Sequence, residues 1–340
     1  RRPLARGDST LYQKPAPCSP QGNGDGRLGP GATVIPASTT TARMATGGSI
    51  ALLAALSFFW GTNWPFMKIA LSEIPVWWFR TLCLFGGGFS LLAISYFSGQ
   101  RVRLTVWEVP RLVLCAFFGV LGWHLFSAYG VSQMPAGRAS IIAFTMPVWA
   151  AVLARIILGE PLTKLKLISL ALGISGLAIL IGPDLMDLQA APMGTLLMLC
   201  AALTWGTGTV FFKKFQWSAS TTALTGWQLS LAGVPIAIGA FFFQPPPDWS
   251  QISNQAYFSL AYVLALPMIF CQWAYLRSVR TFPASLAAIS TLGVPVIGTY
   301  SSAIILGEPV GFQEFGALVL VCMALATVLV IPALKGRSNS

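Results

Sequence analysis

From residue 49 onward the chain alternates long apolar runs with short polar connections. The runs fall at approximately 49–71, 76–97, 111–132, 138–158, 165–182, 193–212, 221–243, 256–278, 283–306 and 312–333. A helix rising 1.5 Å per residue needs about 20 apolar residues to cross the hydrocarbon core of a bilayer, and these runs have that length. Strands of a membrane barrel would be shorter and would alternate polar with apolar positions. The pattern predicts an all-α, polytopic membrane protein with ten transmembrane helices.

The runs are not independent. Ile156-Ile157-Leu158-Gly159-Glu160-Pro161 returns letter for letter as Ile304-Ile305-Leu306-Gly307-Glu308-Pro309, an offset of 307 − 159 = 148. Pro135-Ala136 pairs with Pro283-Ala284 and Pro147 with Pro295 at the same offset, while Trp60-Gly61-Thr62 pairs with Trp205-Gly206-Thr207 at 145. Gly tolerates the left-handed C-cap of a helix, and Pro opens the next helix because its missing N–H would be unpaired there. Each Gly-Glu-Pro is therefore a helix-to-helix turn, with Glu160 and Glu308 as structural punctuation at opposite faces. Each unit holds five runs, and since five is odd the second must enter the membrane upside down. Two inverted five-helix repeats of this kind mark secondary transporters, whose substrate sits near the midplane between them.

Composition narrows the class. Of 340 residues 55% are hydrophobic and only 9% charged, with a mean hydropathy of +0.71, whereas charged residues make up about a quarter of a soluble domain. The formal charge of +11 is spread over short loops and the N-terminal tail, so no nucleic-acid surface is expected. With a cytoplasmic N-terminus, the inner loops hold Arg101, Arg103, Arg111, Lys164, Lys166, Lys213, Lys214, Arg277, Arg280, Lys335 and Arg337. The outer connections hold Glu73, Asp184, Asp187, Asp248, Glu308 and Glu314, with Arg138 the exception. This bias predicts both termini inside, in a cell (inner) membrane. Residues 1–43, rich in Pro, Gly, Ser and Thr, read as a disordered tail, with repeats at 44–184 and 190–335. The six cysteines show no metal-ligand spacing and read as packing residues, with no metal or cofactor expected.

The Trp60-Gly61-Thr62-Asn63 stretch in the first run, its twin in the sixth, Phe79-Arg80 opening the second, and the Gly-Glu-Pro turns after runs four and nine resemble the EamA-type permeases of the drug/metabolite transporter superfamily. The likeness covers residues 44 to 335. It implies ten spans in two EamA repeats and transport of small metabolites, often amino-acid-like and often outward; a monomer or homodimer in the bilayer is expected.

Polar groups at membrane depth are costly and are candidates for function. No carboxylate falls in the middle of a run. His124, the single histidine, is the candidate for proton coupling, and its counterpart at 148 residues is Gln272. Arg80 pairs likewise with Gln228 and reads either as a cation that snorkels to the outer headgroups or holds neighbouring helix carbonyls, or as a carboxylate binder. Asn63 lies one turn from Trp60 on one helix face, and Trp205, Trp227, Trp273 and Tyr275 complete an expected aromatic lining for the substrate cavity. Lys68 and Arg155, near run ends, read as snorkelling. The chain lacks the nucleophile-base or metal set of an intramembrane enzyme and the ring of like charges of a channel. A transporter of small polar or amphipathic metabolites remains, with broad multidrug efflux as the alternative within that class.

Overall fold

Glycine and proline place the helix ends. In the computed structural model, which describes residues 47–186, 192–275 and 284–327, Gly159 and Gly307 take φ of 70° and 69° after their helices, the left-handed geometry that ends a helix. Among the described residues the chain forms ten helical segments and no strand. They are α1 (Gly47–Leu71), α2 (Val76–Phe97), α3 (Glu108–Ser132), α4 (Ala136–Leu158) and α5 (Lys164–Met186). The second set is α6 (Pro192–Lys214), α7 (Thr221–Phe243), α8 (Asn254–Tyr275), α9 (Ala284–Leu306) and α10 (Phe312–Leu325). Six of them, α2, α3, α4, α6, α7 and α8, are long and apolar enough to cross a membrane. The sequence runs agree with these segments to within a few residues, and the tail at 1–43 and the basic positions at 277, 280, 335 and 337 lie outside the described residues.

Local chemistry explains the interruptions. Pro135 precedes α4, and Pro147 restarts that helix after a turn at Phe144 and Thr145. α3 and α8 each contain a π-helical stretch, at Phe117–Gly122 and Leu264–Cys271. Adding 148 to the first gives 265–270, so both repeats widen at the same place. Ser220 and Ser253 accept hydrogen bonds from the N–H groups of Ala223 and Ala256, both at 3.2 Å, capping α7 and α8.

Packing shows the inversion directly. α2 lies against its counterpart α7 with Trp77 by Gly239, Phe85 by Gly233, Gly88 by Ser230 and Leu92 by Gly226, so one residue number rises as the other falls. α5 and α10 run antiparallel in the same way: Ser169 Oγ donates to Ala324 O at 2.8 Å, and Gly176 lies on Ala317. The remaining contacts come in matched pairs. α1 packs on α9 as α6 packs on α4, and α8 packs on α1 as α3 packs on α6. Two five-helix units are thus related by a pseudo-twofold axis that passes between counterpart helices of opposite direction.

The approach of α2 and α7 at this axis depends on absent side chains. A Cβ on Gly226 would lie 3.0 Å from both Gly88 O and Leu92 N, which are backbone atoms with little room to move. Gly226→Val should lower stability by about 1–3 kcal/mol through overpacking, read as a fall in the melting temperature of the purified protein. Gly316→Val is the control, because the nearest atom to its Cβ, Ile179 Cγ2, is 3.9 Å away.

Candidate substrate cavity

Where the two units meet, the helices leave a cavity of about 690 Å³. α1 contributes Trp60, Asn63, Trp64 and Met67, α2 contributes Arg80, and α3 contributes Trp123, His124 and Ser127. α4 supplies a smooth wall of Pro147, Ala150, Ala151 and Ala154, α6 supplies Trp205, Thr209 and Val210, and α8 supplies Pro267, Met268, Gln272 and Tyr275. At one end stand Glu160, Lys166 and Lys213, the last with a side chain 66% exposed, so the cavity opens there.

The π-helical stretches aim these residues. An extra residue in the turn rotates the helix beyond it and loosens the carbonyl ladder. Immediately after the stretch in α3 come Trp123 and His124, and after that in α8 comes Gln272. One carbonyl of the α8 stretch, Pro267 O, accepts the Trp60 indole N–H at 3.4 Å. Trp60 and Tyr275 then lie with ring centroids 5.4 Å apart, and Trp123 and Trp205 lie 5.0 Å apart.

Arg80 is the central charge. It is almost fully buried, and its guanidinium donates from Nε to His124 O at 2.8 Å and from Nη2 to Ser127 Oγ and Met67 Sδ, both at 3.0 Å. These bonds orient the fork without neutralising it, and among the described residues no carboxylate pairs with it. Two further polar atoms of cavity residues, His124 Nδ1 and Asn63 Oδ1, are buried and without a hydrogen-bond partner among the described residues. Buried polar atoms normally have partners, which makes both available to a ligand.

Seven of the ten residues singled out from sequence come together on this wall: Trp60, Asn63, Arg80, His124, Trp205, Gln272 and Tyr275. Three do not. The Trp227 indole donates to Val102 O at 2.9 Å and packs by Leu112 and Leu224, Gln228 is half-buried elsewhere on α7, and Trp273 packs against Phe270. Sequence reasoning passed over the α4 wall, whose signal is the spacing of small residues at 147, 150, 151 and 154. Glu160, which reads from sequence as structural punctuation, lines the cavity mouth, where its carboxylate accepts hydrogen bonds from Lys166 Nζ at 3.1 Å and from Lys213 Nζ. Lys68 does not snorkel freely; it pairs with Glu308 at 2.8 Å.

A polytopic helical protein with inverted repeats enclosing an aromatic cavity has the architecture of a transporter. The chain belongs to the EamA-like transporter family, whose profile matches it twice, at residues 47–182 and 192–330. It is 26% identical to an uncharacterized transporter of Bacillus subtilis, YoaV, over 79% of this chain and 93% of that protein. It is 28% identical to a protein of Salmonella typhimurium named a probable amino-acid metabolite efflux pump, over 80% and 91% of the two chains. The Escherichia coli protein of the same name is 26% identical over 80% and 91%. A crystal structure superposes with a TM-score of 0.59 at 18% identity, covering 85% of this chain and 99% of the other, a likeness of fold.

The Glu160 cluster makes a pH-dependent feature at the cavity mouth. Hydrogen bonds from Lys213 first and Lys166 second hold the carboxyl below its ordinary value of 4.5. A depressed carboxyl means the pairing is complete above 4.5 and is lost as pH falls through the lower, folded value. In infrared difference spectra, the carboxyl band that vanishes in Glu160→Gln should titrate below 4.5; a midpoint at or above that value would contradict the pairing.

Proposed function

We propose that the protein exports small amphipathic metabolites of the amino-acid kind by alternating access between its inverted repeats. It works in a cell membrane that all ten helices cross, with both termini cytoplasmic. The observation that carries this reading is Arg80, a buried guanidinium on the cavity wall with no acid to neutralise it among the described residues. A guanidinium in low dielectric favours an anionic partner, and its planar fork matches a carboxylate. The Trp60–Tyr275 and Trp123–Trp205 pairs offer apolar faces to the rest of the solute. The acceptors Asn63 Oδ1 and, as a neutral imidazole, His124 Nδ1 suit an amino group. The volume lies within the range of about 300–1,000 Å³ typical of small-molecule sites. Two relatives bear the name of probable amino-acid metabolite efflux pumps.

The same charge argues against the multidrug alternative. Lipophilic cations would meet Arg80 without compensation, since the carboxylate lining the cavity, Glu160, already holds two lysines.

A ligand screen by thermal shift tests the substrate class, because a ligand that binds the folded state raises its melting temperature. Amino acids with large apolar side chains should stabilise the purified protein and tetraphenylphosphonium should not; the reverse result would transfer the function to multidrug efflux. Arg80→Gln should weaken amino-acid binding roughly ten- to a hundred-fold, the loss of one charged hydrogen-bonded contact. For coupling, His124→Gln should change the pH dependence of flux in proteoliposomes, and an unaltered profile would remove His124 from that role.

A further inference from the structure

One face of α6 runs along the cavity from its interior to its mouth. Trp205, Thr209 and Lys213 recur every four residues and all line the cavity, so they stand one above another on the helix, about 6 Å apart along its axis. Trp205 is the inner member, its ring centroid 5.0 Å from that of Trp123, whose neighbour His124 gives its carbonyl to Arg80. Lys213 is the outer member, with its side chain 66% exposed. Alongside runs the α4 face of Pro147, Ala151 and Ala154, which carries no polar side chain. The two helices touch, for a Cβ on Gly206 would lie 3.1 Å from Ala150 N. A polar track therefore lies against a smooth wall.

At the mouth, two ammoniums share one carboxylate. Lys213 Nζ donates to Glu160 Oε1, and Lys166 Nζ donates to Oε2 at 3.1 Å. The three side chains together carry one excess positive charge, at the entrance to a cavity whose inner charge, Arg80, is also positive. The two lysines are not held alike. Lys166 is 25% exposed and also donates to Pro161 O at 3.4 Å, whereas two-thirds of the Lys213 side chain is in water, where ion pairs hold weakly. Withdrawing Lys213 strands no carboxylate, because Glu160 keeps Lys166.

We propose that Lys213 is an entry subsite for small carboxylates: it takes the solute's carboxylate at the mouth, while Lys166 keeps Glu160 paired, and passes it along the Thr209–Trp205 face to Arg80. This rests on the reading of the protein as a carrier of amino-acid-like solutes, and it adds the residue that selects an anionic end before the inner site is reached. Cations at both ends of the track keep the carboxylate within reach of a counter-charge as it moves between apolar walls. The Thr209 hydroxyl donates to Trp205 O at 2.9 Å and keeps its lone pairs for an ammonium group, and the Trp205 ring serves the apolar part of the solute. The loop charges predict this mouth to be cytoplasmic, the side from which an exporter loads.

The test uses the full chain carrying Thr209→Cys, one turn inside Lys213, and two reagents of one shape, iodoacetate and its neutral analogue iodoacetamide. With either, the thiolate displaces iodide and forms a thioether. Alkylation is read by mass spectrometry on the peptide that contains residue 209, so the native cysteines stay in place. The ratio of the two rates, divided by the same ratio for 2-mercaptoethanol, cancels the thiolate fraction and reports how the mouth receives a carboxylate. At low salt it should exceed unity. Lys213→Gln should lower it about three- to tenfold, since a unit charge about 6 Å away changes a local ion concentration about threefold in water and more beside low-dielectric walls. Glu160→Gln should raise it, a change that unfolding, which returns the thiol to bulk solvent, would not give. Lys214→Gln removes an equal charge one residue along but off the cavity wall, and should change the ratio less than about twofold. A ratio unmoved by Lys213→Gln and Glu160→Gln, or moved as far by Lys214→Gln, would overturn the subsite. L-Leucine should slow both reagents. If the ratio shifts as stated but no amino acid protects residue 209 or stabilises the protein, the subsite stands and the amino-acid reading falls.

Discussion

A charge buried in a membrane protein must be held by something, and Arg80 sets the terms for its surroundings. Its Nε and Nη2 are occupied by a main-chain carbonyl, a hydroxyl and a thioether, none of which carries a negative charge. Holding such a group requires α1, α2 and α3 to converge on one point. The π-helical stretch of α3 ends just before His124 and Ser127, whose carbonyl and hydroxyl accept the guanidinium. The cavity is the space this convergence leaves, with Trp60, Trp123, Trp205 and Tyr275 on its walls.

The second constraint is close approach. Lipid gives helices no hydrophobic reason to associate, so contact between backbones must come from small residues. Gly88 and Gly226 serve this purpose between α2 and α7, and Gly119 and Gly208 between α3 and α6. Some buried hydroxyls bond a carbonyl one turn back on their own helix, as Thr62 does to Phe58 O at 2.7 Å and Ser230 to Gly226 O at 2.9 Å. Among the described residues, the polar side chains along the cavity are Asn63, Arg80, His124, Ser127, Thr209 and Gln272, with Glu160, Lys166 and Lys213 at its mouth.

Periodicity in the sequence resolved the helices, and punctuation resolved their ends, because Gly159, Gly307 and Pro135 act through backbone geometry that needs no tertiary partner. Trp60 and Asn63 were legible as one cavity face since α1 is regular between them. Trp273 was not separable from Gln272 and Tyr275, because the face a residue presents depends on the π-helical turn just before it, which leaves no periodic trace. Trp227 looked like its cavity-lining namesakes, and only the Val102 carbonyl that takes its N–H explains why it turns away. Lys68 and Glu308 stand 240 residues apart, and nothing in either neighbourhood announces the other.

The two Ile-Ile-Leu-Gly-Glu-Pro turns are chemically identical and sit at opposite ends of the molecule, one tucked against a helix start and the other beside two lysines. Duplication alone would have left the two ends alike. Their surroundings differ: six residues beyond each glutamate stands lysine at 166 in one copy and glutamate at 314 in the other, and Lys166 bonds Glu160 whereas Glu314 pairs with Arg138. A duplicated turn thus keeps its own geometry while its carboxylate is put to different use at each end, since the backbone obeys the six residues and the side chain obeys its neighbours.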